Sequence, residues 1–126
     1  MPEMSPKDKA RMVEAARTAQ ELRSRADMES AELRAKEFVA TGKSLLVKVR
    51  MTGDGFVKGI QIDPDYLATH TSEEISEDIV AALNKCRTTI DAQMNDISSR
   101  LSRGLQEAMV KAYEKGLENN DDGSDR

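Results

Sequence analysis

The sequence predicts an α+β domain in which a long helix, a three-stranded antiparallel sheet and a second long helix follow one another, in the order α-β-β-β-α. Three observations support this fold class. Residues 47–52 alternate between apolar and polar side chains, Asp54-Gly55 is a strong hairpin signal, and apolar residues recur every three or four positions on both sides of this region. The alternation is typical of a half-buried strand, and the recurrence is typical of amphipathic helices.

The first helix is predicted from about Ser5 to Lys36. Ser5 is a good N-cap residue, and Pro6 suits the first helical position because the amide donor it lacks has no partner there anyway. The apolar residues of this helix form a narrow stripe at Met12, Ala16, Ala19, Leu22, Ala26 and Leu33. Since alanine buries little surface, we expect this helix to depend on a packing partner. Residues 1–6 are expected to be flexible.

The three predicted strands lie between the helices. A short strand is expected near Glu37 to Ala40, followed by a turn at residues 41–44 and then by the hairpin. A type I′ turn needs positive φ at both central positions, which Asp54 and Gly55 tolerate well. Such a two-residue turn pairs Gly53 with Phe56 and places the apolar residues of the two strands on one face.

This register has a specific consequence for the hairpin strands. Val49 is placed opposite Ile60 and Val47 opposite Ile62, while Lys48 and Arg50 face the other side. A shift of one residue would put the two apolar sets on opposite faces, which argues against a three-residue loop. We therefore expect a tight two-residue turn.

The second helix follows Asp63-Pro64-Asp65, where proline ends the strand. The stretch Thr71-Ser72-Glu73-Glu74 offers an N-cap for this helix, with acidic residues in the first turn. The apolar stripe consists of Ile75, Ile79, Leu83, Cys86, Ile90, Ile97 and Leu101. Gly104 either interrupts this helix, or the helix continues to about Leu117. The predicted organisation is thus a single domain over residues 7–117, with a helical extension after residue 104 and a disordered acidic tail at 118–126.

Composition narrows the functional classes. The chain has 126 residues, 3% aromatic and 33% charged, so its core is thin for its length. We expect homodimerisation to cover the apolar stripes of the long helices. One cysteine excludes an internal disulfide, and neither a membrane span nor a signal peptide is recognisable, which predicts a soluble cytoplasmic protein without membrane contact. The residues expected in the core or dimer contact are Val47, Val49, Met51, Ile60, Ile62, Leu83, Ile90 and Ile97.

An enzymatic function is not favoured by the sequence. His70 is the only histidine, and although Asp54, Asp63 and Asp65 are close to it in sequence, the turns account for these aspartates. The sequence contains no nucleophile elbow, phosphate-binding glycine loop or metal-spaced Cys/His set. Cys86 is expected to act as a small buried hydrophobe. We therefore predict no catalytic residue, no metal, no cofactor and no small-molecule substrate.

Several short motifs between Phe38 and Cys86 resemble one known family. They are VATG at residues 39–42, LVKV at 46–49, the G-D-G turn, IDP at 62–64 and DIVAALNKC at 78–86. Together, in this order and spacing, they resemble the YbaB/EbfC family of bacterial nucleoid-associated proteins over roughly residues 10–104. The resemblance implies a tweezer-like homodimer that binds duplex DNA in the nucleoid with little sequence preference.

Basic residues supply the candidate DNA contacts. Residues 38–62 carry four basic residues and one acidic residue, whereas residues 63–82 carry six acidic residues and no lysine or arginine. Lysine and arginine bind phosphates by releasing condensed counterions, which requires no base recognition. The candidates are Arg17, Arg23, Arg25, Lys48, Arg50, Lys58, Arg100 and Arg103. The net charge of -4 leaves an alternative open, a dimeric protein-interaction or adaptor protein with the same fold that has lost DNA binding.

Overall fold

The structure is a computed structural model that describes the backbone of residues 5–124 and the side chains of residues 5–114. Its elements are α1 (Pro6–Ala35), β1 (Glu37–Thr41), β2 (Val47–Thr52), β3 (Val57–Ile62), α2 (Pro64–Thr69) and α3 (Ser72–Ser124). The strands form one antiparallel sheet in the order β1-β2-β3. The predicted α-β-β-β-α order is confirmed, with the short helix α2 added before α3.

Helix boundaries follow the predicted capping residues. The Asp8 N–H donates to the Ser5 hydroxyl at 3.1 Å, so Ser5 caps α1. Thr71 and Glu74 form a capping box at the start of α3, in which the Glu74 N–H donates to the Thr71 hydroxyl at 3.1 Å and the Thr71 N–H donates back to the Glu74 carboxylate at 3.3 Å. The hydrogen bonds from Thr71 outweigh the effect of burial and hold the pKa of Glu74 below its usual range.

Helix α3 is continuous past Gly104 and reaches Ser124. Of the two possibilities at Gly104, continuation is therefore the one observed. The backbone of residues 118–124 belongs to this helix, whereas the sequence suggested disorder from 118 onward. Residues 125 and 126 of the expected tail, and the first four of the expected flexible N-terminus, lie outside the described residues. The proposed domain boundaries remain predictions.

The described residues form two compact units, one of residues 29–96 and one of residues 5–28 together with 97–124. In the first unit, the N-terminal part of α3 covers one face of the sheet. Val47, Val49 and Met51 of β2 are buried on that face. Cys86 of α3 lies against the same strands, with its sulfur 3.9 Å from the carbonyl oxygens of Phe38 and Val49.

The residues predicted for the core or dimer contact differ in burial. Ile90 and Ile97 are buried in their units, Leu83 is half-buried, and Ile62 packs against the cluster of Val47, Tyr66 and Ile75. Ile60, in contrast, is 43% exposed although it lies opposite Val49. Its proposed role in a dimer contact remains a prediction.

In the second unit, the described residues of α1 pack against the C-terminal part of α3. A side-chain carbon added to Gly104 would lie 3.2 Å from Leu22, which shows how closely the helices approach. The face of α1 that lines the groove between the helices contains Ala15, Thr18 and Leu22. Met12 and Ala16, which the sequence placed on the packed stripe, are exposed instead. At this end of α1, the residues that pack are therefore shifted by about one position in the sequence from the predicted ones.

The hairpin loop corrects one prediction. Thr52 pairs with Phe56 through a 2.8 Å hydrogen bond from its N–H, so the loop has three residues, Gly53 to Gly55. Gly55 has φ 94°, and no non-glycine residue in the described part of the chain has positive φ, so the turn is not type I′. It matches a type I turn followed by a left-handed glycine.

The predicted register nevertheless holds, because the strand contains a bulge. Arg50 pairs with Gly59 and Met51 pairs with Val57, which leaves Lys58 as the extra residue of β3. Val49 therefore still lies opposite Ile60, and Val47 lies opposite Ile62. The argument against a three-residue loop was wrong because it did not allow the bulge to absorb the shift.

The tip of this hairpin contacts the end of α1. The Gly53 N–H donates to the Lys36 carbonyl at 3.0 Å, and the Asp54 N–H donates to the Arg34 carbonyl at 3.2 Å. These bonds satisfy carbonyl groups that have no partner within the helix. A side-chain carbon on Gly53 would collide with the Leu33 carbonyl oxygen.

Replacing Gly53 by alanine is therefore expected to lower the free energy of unfolding by about 2 kcal/mol, since backbone must move to make room. Urea unfolding followed by circular dichroism would measure this change. Gly59→Ala is the matched control, because its new methyl group would meet only the movable guanidinium of Arg50. Equal stability losses in the two variants would contradict the contact described at Gly53.

Candidate nucleic-acid interface

The face of the sheet opposite to α3 carries two basic side chains on the middle strand. Lys48 and Arg50 alternate with the buried residues of β2 and are exposed. Because they are two residues apart on one strand, their Cα atoms are separated by about 7 Å. Lys48 lies between Thr41 of β1 and Gln61 of β3, and it forms no ion pair with the described residues. This arrangement presents cationic and neutral polar groups together.

Arg50 has a more constrained environment than Lys48. Its Nη1 atom lies 3.0 Å from Oε1 of Glu37 on β1, and both side chains are 46% exposed. On the other neighbouring strand, a side-chain carbon at Gly59 would lie 2.8 Å from Nη2 of Arg50. The missing side chain at Gly59 thus leaves space that the guanidinium occupies. The sequence analysis did not identify Glu37 as part of this site, because the contact depends on the register between β1 and β2.

Lys58 lies at the bulge of β3 and is exposed. Its charge contributes to the environment of Asp54 in the hairpin loop. The Thr52 hydroxyl, which donates to the Asp54 carboxylate, is the main cause that lowers the pKa of Asp54, and Lys58 adds a smaller effect in the same direction. Lys58 is therefore an exposed cation close enough to the hairpin loop to influence Asp54.

The five helical candidates belong to the second unit. Arg17, Arg23 and Arg25 are exposed on α1, and Arg100 and Arg103 are exposed on α3. Arg17 and Arg25 are each one helical turn from Glu21, which interleaves a negative charge between them. Arg23 is two residues from Arg25 and so projects about 160° away around the helix. Only Lys48, Arg50 and Lys58 of the candidates share one compact unit and one sheet.

A buried carboxylate holds the loop between β1 and β2. Asp78 of α3 is 3% exposed and accepts hydrogen bonds from the Ser44 N–H at 3.1 Å and from the Ser44 hydroxyl at 2.5 Å. Burial raises the pKa of Asp78, but hydrogen bonds from Ser44, Tyr66 and the backbone outweigh burial and hold the pKa below its usual value. Lys85 adds a bond from its ammonium to the Gly42 carbonyl at 3.2 Å.

The sequence analysis missed the role of Asp78 by counting it within an acidic segment. Its spacing from Ile75 and Ala82 places it on the buried face of α3, and this helical periodicity was the available signal. The network positions the start of β2, since Ser44 is three residues before Val47. Asp78 thereby supports the strand that carries Lys48 and Arg50.

Comparison with known proteins identifies the family of this chain. The sequence profile of the YbaB/EbfC DNA-binding family matches residues 8–105. The chain belongs to the YbaB/EbfC family. The extent of this match agrees with the resemblance noted from the motifs over residues 10–104.

Several relatives in the YbaB/EbfC family are named nucleoid-associated proteins. The protein from Rhodospirillum rubrum is 30% identical over 88 residues, covering 70% of this chain and 82% of its own length. The protein from Bartonella tribocorum is 30% identical over 94 residues, covering 75% and 85%. The protein from Lacticaseibacillus casei is 32% identical over 69 residues, covering 55% and 70%.

A solved structure shares the fold of this YbaB/EbfC chain. The crystal structure of an uncharacterised protein from Helicobacter pylori superimposes with a TM-score of 0.52, covering 63% of this chain and 92% of its own. The two sequences are 15% identical, so the similarity concerns the fold alone.

YbaB/EbfC is a DNA-binding family rather than an enzyme family. In this chain Asp63, one of the acidic residues near His70 in the sequence, caps α2 by accepting from the Asp65 N–H at 2.9 Å. The His70 ring stacks on Tyr66 with centroids 4.0 Å apart. Burial raises the pKa of the Cys86 thiol, as expected for a small side chain in the core. None of the helices in the described part is both long and apolar enough to cross a membrane.

Proposed function

We propose that this protein is a nucleoid-associated protein that binds duplex DNA as a homodimer, through phosphate contacts and with little sequence preference. The observation that carries the proposal is the match to the YbaB/EbfC DNA-binding family over residues 8–105. The names of the relatives support the same function and a location in the nucleoid, within the cytoplasm.

The outer face of the sheet is the proposed phosphate-binding surface. Lys48 and Arg50 project from it at a spacing of about 7 Å, and Thr41 and Gln61 add neutral hydrogen-bonding groups beside Lys48. Side chains of these types supply most phosphate and sugar contacts in protein–DNA complexes. Such contacts orient a protein on DNA without reading bases, which is consistent with loose sequence preference. Lys58, Arg17, Arg23, Arg25, Arg100 and Arg103 are additional proposed contacts.

Exposed apolar side chains support the proposed homodimer. In the unit of residues 29–96, several large hydrophobic residues on or near β3 remain accessible, namely Leu46, Phe56, Val57, Ile60 and Leu67. Soluble monomers rarely leave a continuous apolar patch uncovered. A second copy of the chain would cover these residues and would double the number of phosphate contacts.

The salt dependence of DNA binding tests the proposed function. If Lys48 and Arg50 of two protomers each contact a phosphate, log K should fall with log salt with a limiting slope of about -3.6, at which binding weakens about hundredfold between 50 and 200 mM salt. Fluorescence anisotropy with several unrelated duplexes would measure both quantities, on protein whose dimeric mass has been confirmed by light scattering. We expect similar affinities for all duplexes.

Protein recognition is the second candidate function. It is favoured by the pairing of Arg50 with Glu37, by Glu21 between the arginines of α1, and by the net charge of -4. Lack of binding to any duplex at 50 mM salt by a folded dimer would rule out the DNA-binding proposal and direct the search to protein partners.

A further inference from the structure

Arg50 is held by an acidic residue of its own sheet. Glu37 is the first residue of β1, and Arg50 lies on the central strand, diagonally across the register in which Glu37 pairs with Thr52. The 3.0 Å contact between Nη1 and Oε1 occupies one edge of the guanidinium, while the space above Gly59 accommodates another part of it. Lys48, two residues away on the same face, has no such partner among the described residues.

A carboxylate and a phosphate compete for the same donors on arginine. Both anions accept hydrogen bonds from guanidinium N–H groups, commonly in a bidentate arrangement. Because Glu37 and Arg50 are each 46% exposed, their pair is accessible to solvent and to an approaching anion. A pair with this exposure contributes little stability, so Arg50 can exchange one anion for another.

We propose that Glu37 attenuates DNA binding by competing with phosphate for Arg50. The inference rests on the proposed DNA-binding function and assigns a regulatory role to a residue outside the basic candidates. Glu37 partly neutralises the charge of Arg50 in the free protein. Binding of Arg50 to a phosphate therefore causes less net release of counterions. Glu37 thereby lowers both the affinity for duplex DNA and its dependence on salt.

Glu37→Gln tests this proposal because it removes the charge and keeps the size of the side chain. We expect the variant to bind duplex DNA about fivefold more tightly at low salt. The slope of log K against log salt should become steeper by up to about 0.9 for each protomer, since Arg50 is then neutralised by phosphate alone. Glu32→Gln is the matched control, because Glu32 is exposed in the same unit and forms no ion pair with the described residues.

Glu37→Gln in an Arg50→Gln background tests whether Glu37 changes the DNA affinity through Arg50. If Glu37 acts through Arg50, then Glu37→Gln should change affinity less than twofold there. An equal gain in both backgrounds, or in Glu32→Gln, would show a general charge effect and overturn the proposal. Unchanged affinity of Glu37→Gln, with normal binding by the unsubstituted protein, would overturn this inference alone. If neither protein binds DNA, the proposed function itself fails, and the inference fails with it.

Discussion

The double variant Lys48→Glu/Arg50→Glu is expected to bind duplex DNA about hundredfold more weakly than the unsubstituted protein at low salt. Each substitution turns an attraction for phosphate into a repulsion, and both act in each protomer of the proposed dimer. Both side chains are exposed on the outer face of β2, so the fold should tolerate the changes. Anisotropy titrations at two salt concentrations would measure the loss of affinity and the reduced slope.

A charge-matched variant on α1 separates the sheet from the helices as the binding surface. Arg17→Glu/Arg25→Glu makes the same change in net charge on exposed positions of the other compact unit. We expect it to weaken binding less than the sheet variant, because Glu21 already lies between these arginines. A larger loss of DNA affinity in the α1 variant would show that the main phosphate contacts lie on the helices, and it would contradict the proposed binding surface on the sheet.

Local periodicity made much of the fold predictable. The alternation along β2 identified Val47, Val49 and Met51 as buried and Lys48 and Arg50 as exposed, because neighbouring strand residues necessarily face opposite sides. Ser5 and Thr71 were predictable as caps because the groups they satisfy are only a few residues away. These features depend on short segments of chain and therefore appear in the sequence.

The hairpin loop was less predictable because its conformation depends on distant contacts. Asp54-Gly55 suits both a type I′ turn and the observed three-residue loop, so local preference does not separate them. In the structure, Gly53 and Asp54 donate hydrogen bonds to carbonyl groups at the end of α1. The bulge at Lys58 then restores the apolar register, which sequence spacing alone did not reveal.

The candidate site also has features that local sequence predicts and features that depend on distant contacts. The exposure of Lys48 and Arg50 followed from strand alternation, but the contact of Arg50 with Glu37 joins residues of two strands. The helical arginines belong to a different compact unit from the sheet residues. Their contribution to one surface is a question of assembly, which neither strand nor helix periodicity addresses.

The variant Asp78→Ala is expected to lower the free energy of unfolding at neutral pH by about 3 to 5 kcal/mol. The substitution removes the acceptor for the Ser44 N–H and hydroxyl and for the Tyr66 hydroxyl, and it leaves these donors without their buried partner. Glu77→Ala is the matched control, since Glu77 is exposed and its nearest ion-pair distance, to Lys43, is 3.9 Å. We expect the control to lose less than about 0.5 kcal/mol.

The pH dependence of this difference tests whether the ionised carboxylate is the stabilising species. The pKa of Asp78 is lower in the folded protein than its usual value, so the folded state favours the charged form. Its contribution is fully present above the unfolded pKa of about 3.9 and is lost as pH falls through the lower folded pKa. The stability gap between the unsubstituted protein and Asp78→Ala should therefore narrow below about pH 4 in urea titrations. A gap that stays constant from pH 7 to pH 3 would show that Asp78 acts through packing rather than through its charge.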